Sequence, residues 1–106
     1  MILYIDGTNY DQVTYAVFAN GKMKQKAYKV DPHKSFEILQ KLEEFLKVNS
    51  KQLTAISSVV VNKGPGSYTG TRIGVVHAQA ISFALNIPVK FLEKEKFEKE
   101  LKKHPR

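Results

Sequence analysis

The hydrophobic pattern of this chain changes period at Asp31-Pro32, and that change restricts the fold more than any other feature. Before it, apolar residues come in short strand-like runs: Ile2-Leu3-Tyr4-Ile5, then Val13 to Phe18 with β-branched and aromatic residues. The second run meets Asn20-Gly21, a strong signal for a two-residue hairpin turn. Lys22 to Val30 continues with Met23, Ala27, Tyr28 and Val30 among lysines, the pattern of an exposed third strand. After Asp31-Pro32 the spacing turns helical. Ser35 is a candidate N-cap for a helix with Phe36, Leu39, Leu42 and Leu46 on one buried face, helped by Ile38 and Phe45. Leu53 to Val61 reads as a strand buried on both faces, stopped by Lys63-Gly64-Pro65-Gly66. A second helix is expected from Tyr68 or Thr71 to Leu85, with Ile73, Val76, Ala80, Phe83 and Ala84 on one stripe, and with Gly74, Ala78 and Ala80 small enough for a close neighbour. Asn86 closes it, and Ile87 to Leu92 is a last strand.

The order is β-β-β-α-β-α-β, which demands three antiparallel strands followed by right-handed parallel crossovers: an α/β chain with a mixed five-stranded sheet. That is the core order of ribonuclease-H-like domains and of a single lobe of the actin-like ATPases. Residues 1–92 are expected to form one such domain, and residues 93–106 a charged tail or a short helix with i,i+4 charge pairs. With 106 residues and no cysteine, disulfide frameworks, thiolate chemistry and Cys-based zinc sites are excluded. The opening apolar run meets Asp6 too soon for a signal peptide, and no stretch is long enough to cross a bilayer. The expectation is a cytoplasmic protein with no membrane contact. A formal charge of +7 favours acidic partners, either phosphate backbones or acidic proteins.

The segment Gly64-Pro65-Gly66-Ser67-Tyr68-Thr69-Gly70-Thr71-Arg72-Ile73-Gly74 lies between a buried strand and a helix. Its glycines permit unusual backbone, Ser67 and Thr69 can cap, and a helix N-terminus offers N–H groups to an anion. It lacks the lysine and hydroxyl of a Walker loop, and its third glycine comes one residue later than in the dinucleotide fingerprint. From the residues alone, a tight structural turn and a phosphate site built from Asp6, Thr8, Gly64, Gly66, Ser67 and Gly70 both stand. Asp6, ending the first strand, also stands where a nuclease of this fold would hold metal. Yet the next buried strand ends Val61-Asn62-Lys63 without an acid, and Glu37, Glu43 and Glu44 belong to a solvated helix face. His33, His77 and His104 are too scattered for a metal site, and Ser67 has no base to make it a nucleophile. No catalytic residue and no metal ligand are assigned.

The glycine segment, followed by an Ala-rich helix, resembles the GPGSFTGLRIG signature of the TsaB family, partners of the TsaD enzyme in making threonylcarbamoyladenosine in tRNA. The start Ile2-Leu3-Tyr4-Ile5-Asp6-Gly7-Thr8 is similar to that family's I-L-x-I-D-T-S-T, with Gly7 and Asn9 as departures. Family members have two actin-like halves, so this chain corresponds to the first. The resemblance implies a non-catalytic subunit that forms a heterodimer with a TsaD-type protein through Arg72, Ile73, Gly74, Val76 and His77. It also implies a homodimer in that partner's absence, indirect contact with tRNA, and no cofactor of its own, ATP and magnesium entering only through the partner. The alternatives are a nucleotide-binding actin-like lobe and a basic RNA-binding module.

Overall fold

The computed structural model describes residues 1–31, 33–34 and 36–103. Ser35 as a helix cap, Pro32 as part of the strand-ending signal and His104 lie outside the described residues.

Three antiparallel strands open the chain: β1 (Ile2–Asn9), β2 (Gln12–Ala19) and β3 (Lys22–Lys29). The β2–β3 turn is built as the Asn20-Gly21 pair requires, with both residues at positive φ (54° and 75°). Then follow α1 (Phe36–Val48), β4 (Ser58–Asn62), α2 (Tyr68–Leu85), β5 (Val89–Leu92) and α3 (Lys94–Lys103). The sheet order is β3-β2-β1-β4-β5, with β1 antiparallel to β2 and parallel to β4. The expected mixed five-stranded sheet is therefore present, and β1 is its central strand.

Centrality explains why Leu3, Tyr4 and Ile5 are all fully buried. Leu3 and Ile5 point to the side carrying α1 and α2, among Tyr15, Val59, Val61 and Phe45. Tyr4 points to the opposite side, where Phe97 and Leu101 of α3 cover it with Met23 and Val60. Of the two forms expected for the C-terminal residues, the helix is found, and its two buried residues contribute about 1.5–3 kcal/mol each. Tyr4 reaches the Glu100 carboxylate at 3.5 Å. Burial, reinforced by that carboxylate, pushes its phenol up to about 12.

Three expectations need correction. The Leu53–Val61 strand is only Ser58–Asn62; Leu53–Ala55 forms a 3₁₀ turn with Leu53 exposed. The cause is the partner strand: β1 begins pairing at Ile2 opposite Ser58, and the N-terminal ammonium of Met1 instead donates to the Ala55 carbonyl at 3.0 Å. The buried stripe of α2 is also not Ile73, Val76, Ala80, Phe83 and Ala84. Gly70, Gly74, Ala78 and Ile81 are buried, while Val76 and Phe83 are 62% and 90% exposed. On α1, Ile38, Leu42, Phe45 and Leu46 are buried, whereas Phe36 and Leu39, expected with them, are exposed.

Candidate functional site

Two groups of residues were singled out in the sequence, and the structure gathers each in a different place. The first is the C-terminal end of β1 against the glycine turn. Asp6 Oδ1 accepts from the Thr8 amide at 2.9 Å and from its hydroxyl at 2.6 Å, closing a local turn. The Ser67 amide donates to the Thr8 carbonyl at 2.7 Å, stitching the glycine turn to β1. Ser67 is the N-cap of α2 and its hydroxyl accepts from the Gly70 amide at 3.3 Å. Thr69, the other capping candidate, lies inside the helix. Gly64 sits at φ 98°, and its amide donates to Oδ1 of the fully buried Asn62 at 2.9 Å. The Gly64-Pro65 bond is cis.

Packing here is backbone on backbone. A Cβ on Gly66 would stand 2.5 Å from the Thr8 Cβ, and one on Gly70 would run into the Gly7 carbonyl oxygen. Asp6, Thr8, Gly64, Gly66, Ser67 and Gly70 thus come together as a clasp whose polar groups serve one another. Thr8 packs directly against Gly66. Lys63, beside the turn, donates its backbone amide to the Leu92 carbonyl at 2.8 Å and is exposed. Beside Asp6, the parallel strand ends in Asn62, an amide. Among the described residues, no three His, Cys, Asp or Glu side chains could share a metal ion.

The second group lies on the outer side of α1 and α2. Arg72 and Val76 are exposed, Ile73 and His77 are half-buried, and with Phe36 and Leu39 they line a cleft of about 520 Å³. Gly74 is not among them: it faces β1, where an added Cβ would lie 3.6–3.8 Å from Gly7 and Ile5. Its placement follows from helix geometry, since four residues on from Gly70 is the same face. The Arg72 guanidinium lies 5.2 Å over the Tyr68 ring and donates to its hydroxyl, which holds a cation at the mouth of the cleft.

His77 forms the floor. Its Nε2 is 3.2 Å from the Tyr15 hydroxyl, which in turn donates its one proton to the Ile38 carbonyl at 2.5 Å. Nε2 therefore carries the hydrogen and donates to Tyr15, linking α2 through β2 to α1. Burial disfavours the imidazolium and pulls the His77 pKa down to about 4; it pushes the Tyr15 phenol up. Phe36, Leu39 and Phe83 were missed as open-face residues. The signal was present: each helix carries more large apolar residues than one buried face can hold.

Residues 8–94 match the family described as TsaD, tRNA N6-adenosine threonylcarbamoyltransferase. Curated relatives include the tRNA threonylcarbamoyladenosine biosynthesis protein TsaB of Buchnera aphidicola subsp. Schizaphis graminum, 30% identical over 84% of this chain and 42% of that protein. The TsaB of Buchnera aphidicola subsp. Baizongia pistaciae is 43% identical over 48% of this chain and 23% of its own length. Among solved structures, YeaZ from Pseudomonas aeruginosa superposes with a TM-score of 0.77 at 23% identity, covering 87% of this chain and 43% of that one. The match thus spans less than half the length of these relatives, and the likeness to YeaZ establishes the fold.

Proposed function

The chain belongs to the tRNA N6-adenosine threonylcarbamoyltransferase (TsaD) family and is TsaB-like within it, and from that premise we propose that it is a non-catalytic subunit that binds and supports a TsaD-type enzyme in threonylcarbamoyladenosine modification of tRNA. The observation that carries this reading is the open apolar face of α1 and α2. Phe36, Leu39, Val76 and Phe83 are each between 47% and 90% exposed and sit on two neighbouring helices. Large apolar residues grouped in this way mark a surface meant to be covered. The cleft between the helices suits a partner helix laid along it with its anchors spaced at three and four residues. Arg72 at the rim offers a charge for orientation.

The clasp supports the non-catalytic part of the reading: Asp6 and Thr8 hold a local turn and Gly66 and Gly70 pack on β1, and in this reading ATP and magnesium belong to the partner. Without the partner, two copies can cover the same face, which would give a homodimer that TsaD displaces.

Size-exclusion chromatography with light scattering, run on the chain alone and mixed with the TsaD of the same organism, tests this. A one-to-one complex is expected, lost in Val76→Glu/Phe83→Glu, with an unchanged melting temperature for the chain. A complex that survives the double substitution would overturn the assigned face. A folded chain that never binds TsaD would overturn the function.

A further inference from the structure

The lysines of the two sheet edges differ in their company. On the β5 edge they are interleaved with Glu93, Glu95, Glu98 and Glu100, and Lys90 pairs with Glu100 at 3.3 Å and Lys99 with Glu95 at 3.4 Å, whereas β3 carries no acid. On the β3 edge, Lys22, Lys24 and Lys26 alternate along one strand, on the face that also carries Tyr28 and α1. Lys26 lies 5.1 Å over the Tyr28 ring. Among the described residues, neither Lys22, Lys24 nor Lys51 takes part in an ion pair. Lys22 and Lys24, joined by Asn20, Asn49 and Lys51, line a cleft of about 330 Å³ between the β2–β3 hairpin and the end of α1, and no acidic residue lines it.

The end of α1 does not neutralise this cluster. Its last carbonyls are taken: Phe45 O accepts from the Asn49 side-chain amide at 2.8 Å, Leu46 O from the Lys51 amide at 2.8 Å, and Lys47 O from the Ser50 amide at 3.0 Å. What faces solvent is a row of unpaired ammonium groups with two carboxamides beside them.

We propose that this strip binds the phosphate backbone of RNA, tRNA in the first instance, directly through Lys22, Lys24 and Lys51. Alternate residues of a strand stand about 6.6 Å apart, comparable to the separation of successive phosphates on an extended nucleic-acid strand. Lysine serves as a point-charge phosphate ligand, and the carboxamide of Asn20 and the second N–H of the Asn49 carboxamide can donate to phosphate or ribose oxygens. An acidic protein fits less well, because the cleft offers none of the aromatic or arginine anchors that carry protein interfaces. Lysines on an edge strand also block strand pairing between molecules, but that role does not require the cluster to extend to Lys51 across the end of α1. The choice of tRNA as occupant rests on the function proposed above; the backbone chemistry does not.

The test is the affinity of the isolated chain for an unmodified tRNA transcript, by fluorescence anisotropy between 50 and 200 mM salt. Lys22→Gln/Lys24→Gln/Lys51→Gln should weaken binding about tenfold or more at the low-salt end and reduce the slope of log K against log salt by about two to three. Lys96→Gln/Lys99→Gln/Lys103→Gln removes the same formal charge from the β5 edge and should change affinity less than about threefold. Equal losses in the two variants would reduce the effect to diffuse net charge and overturn the proposal, as would a wild-type chain that does not bind tRNA at 50 mM salt. Poly-glutamate binding as tightly as tRNA would assign the strip to an acidic protein instead. The β3-edge variant should still form the TsaD complex, so failure here and failure of the subunit reading are separable.

Discussion

The two faces of α2 invert the usual arrangement of a surface helix. The inner face is built from Gly70, Gly74, Ala78 and Ile81, and the outer carries Arg72, Val76 and the nearly fully exposed Phe83. Small residues face in because the helix must lie against the backbone of β1 at Gly7, where a side chain would collide with a carbonyl. Large residues face out because this surface is not the core of this chain. The comparison teaches that size and burial are set here by two different neighbours: the chain's own central strand on one side, and on the other, in our reading, another protein.

The sharpest way to break the comparison is to move one methyl group to the inner face. Gly70→Ala places a Cβ against the Gly7 carbonyl oxygen, a backbone atom that cannot swing aside as a side chain could. The expected cost is about 3 kcal/mol, a drop in melting temperature on the order of 15 °C by circular dichroism. Val76→Glu, six residues on and far larger as a change in polarity, should shift stability by less than about 0.5 kcal/mol because its side chain is already in water. Similar melting temperatures for the two variants would mean that the helix does not distinguish its faces as described.

Much of this was legible in the sequence. The Asn20-Gly21 turn, the order of elements along the chain and the Asn86 stop follow from local chemistry that no tertiary context overrode. Asp6 bonding its own turn was equally readable, since Asp-x-Thr is a local pattern. The orientation of α2 was not. Periodicity assigns apolar residues to the core by default, and on this helix the stripe with the largest apolar residues is the outer one, so Gly74 was placed on the partner side when it belongs under the helix. A run of glycines at spacing four, Gly70 and Gly74, was the cue that the inner face is a backbone contact. The length of β4 was hidden for a different reason: strand ends depend on where pairing with the neighbour starts, and β4 pairs with β1 only from Ser58, opposite Ile2.

His77 lies between the two faces and sharpens the boundary. Its ordinary pKa of about 6.5 applies when the chain is unfolded, and burial lowers it to about 4 in the fold. The unfolded chain therefore binds the extra proton first as pH falls. Stability from this group is fully present above about pH 6.5 and is lost progressively down to about pH 4, by on the order of 3 kcal/mol. Denaturant melts at pH 7 and pH 4.5 should show the loss in the wild type and a flatter profile in His77→Gln, which keeps an N–H for Tyr15 but does not titrate. An unchanged pH profile in that variant would place His77 with the solvated outer face.

The smallest effect is expected where both faces end together. Asn86 closes α2 at φ 54°, ψ 51°, with its amide bonded back to Phe83 and Ser82 carbonyls. An asparagine tolerates this left-handed geometry better than most residues, but it still bears a Cβ that glycine lacks. Asn86→Gly removes that strain in the folded chain while loosening the unfolded one, so the net gain should be a few tenths of a kcal/mol, about 2 °C in melting temperature. Because the change firms the last turn without altering either face, affinity for TsaD should stay within about twofold of the wild type. A larger gain in affinity would mean that the last turn is frayed in the free chain and is ordered by the partner, so that the outer face is completed only on binding.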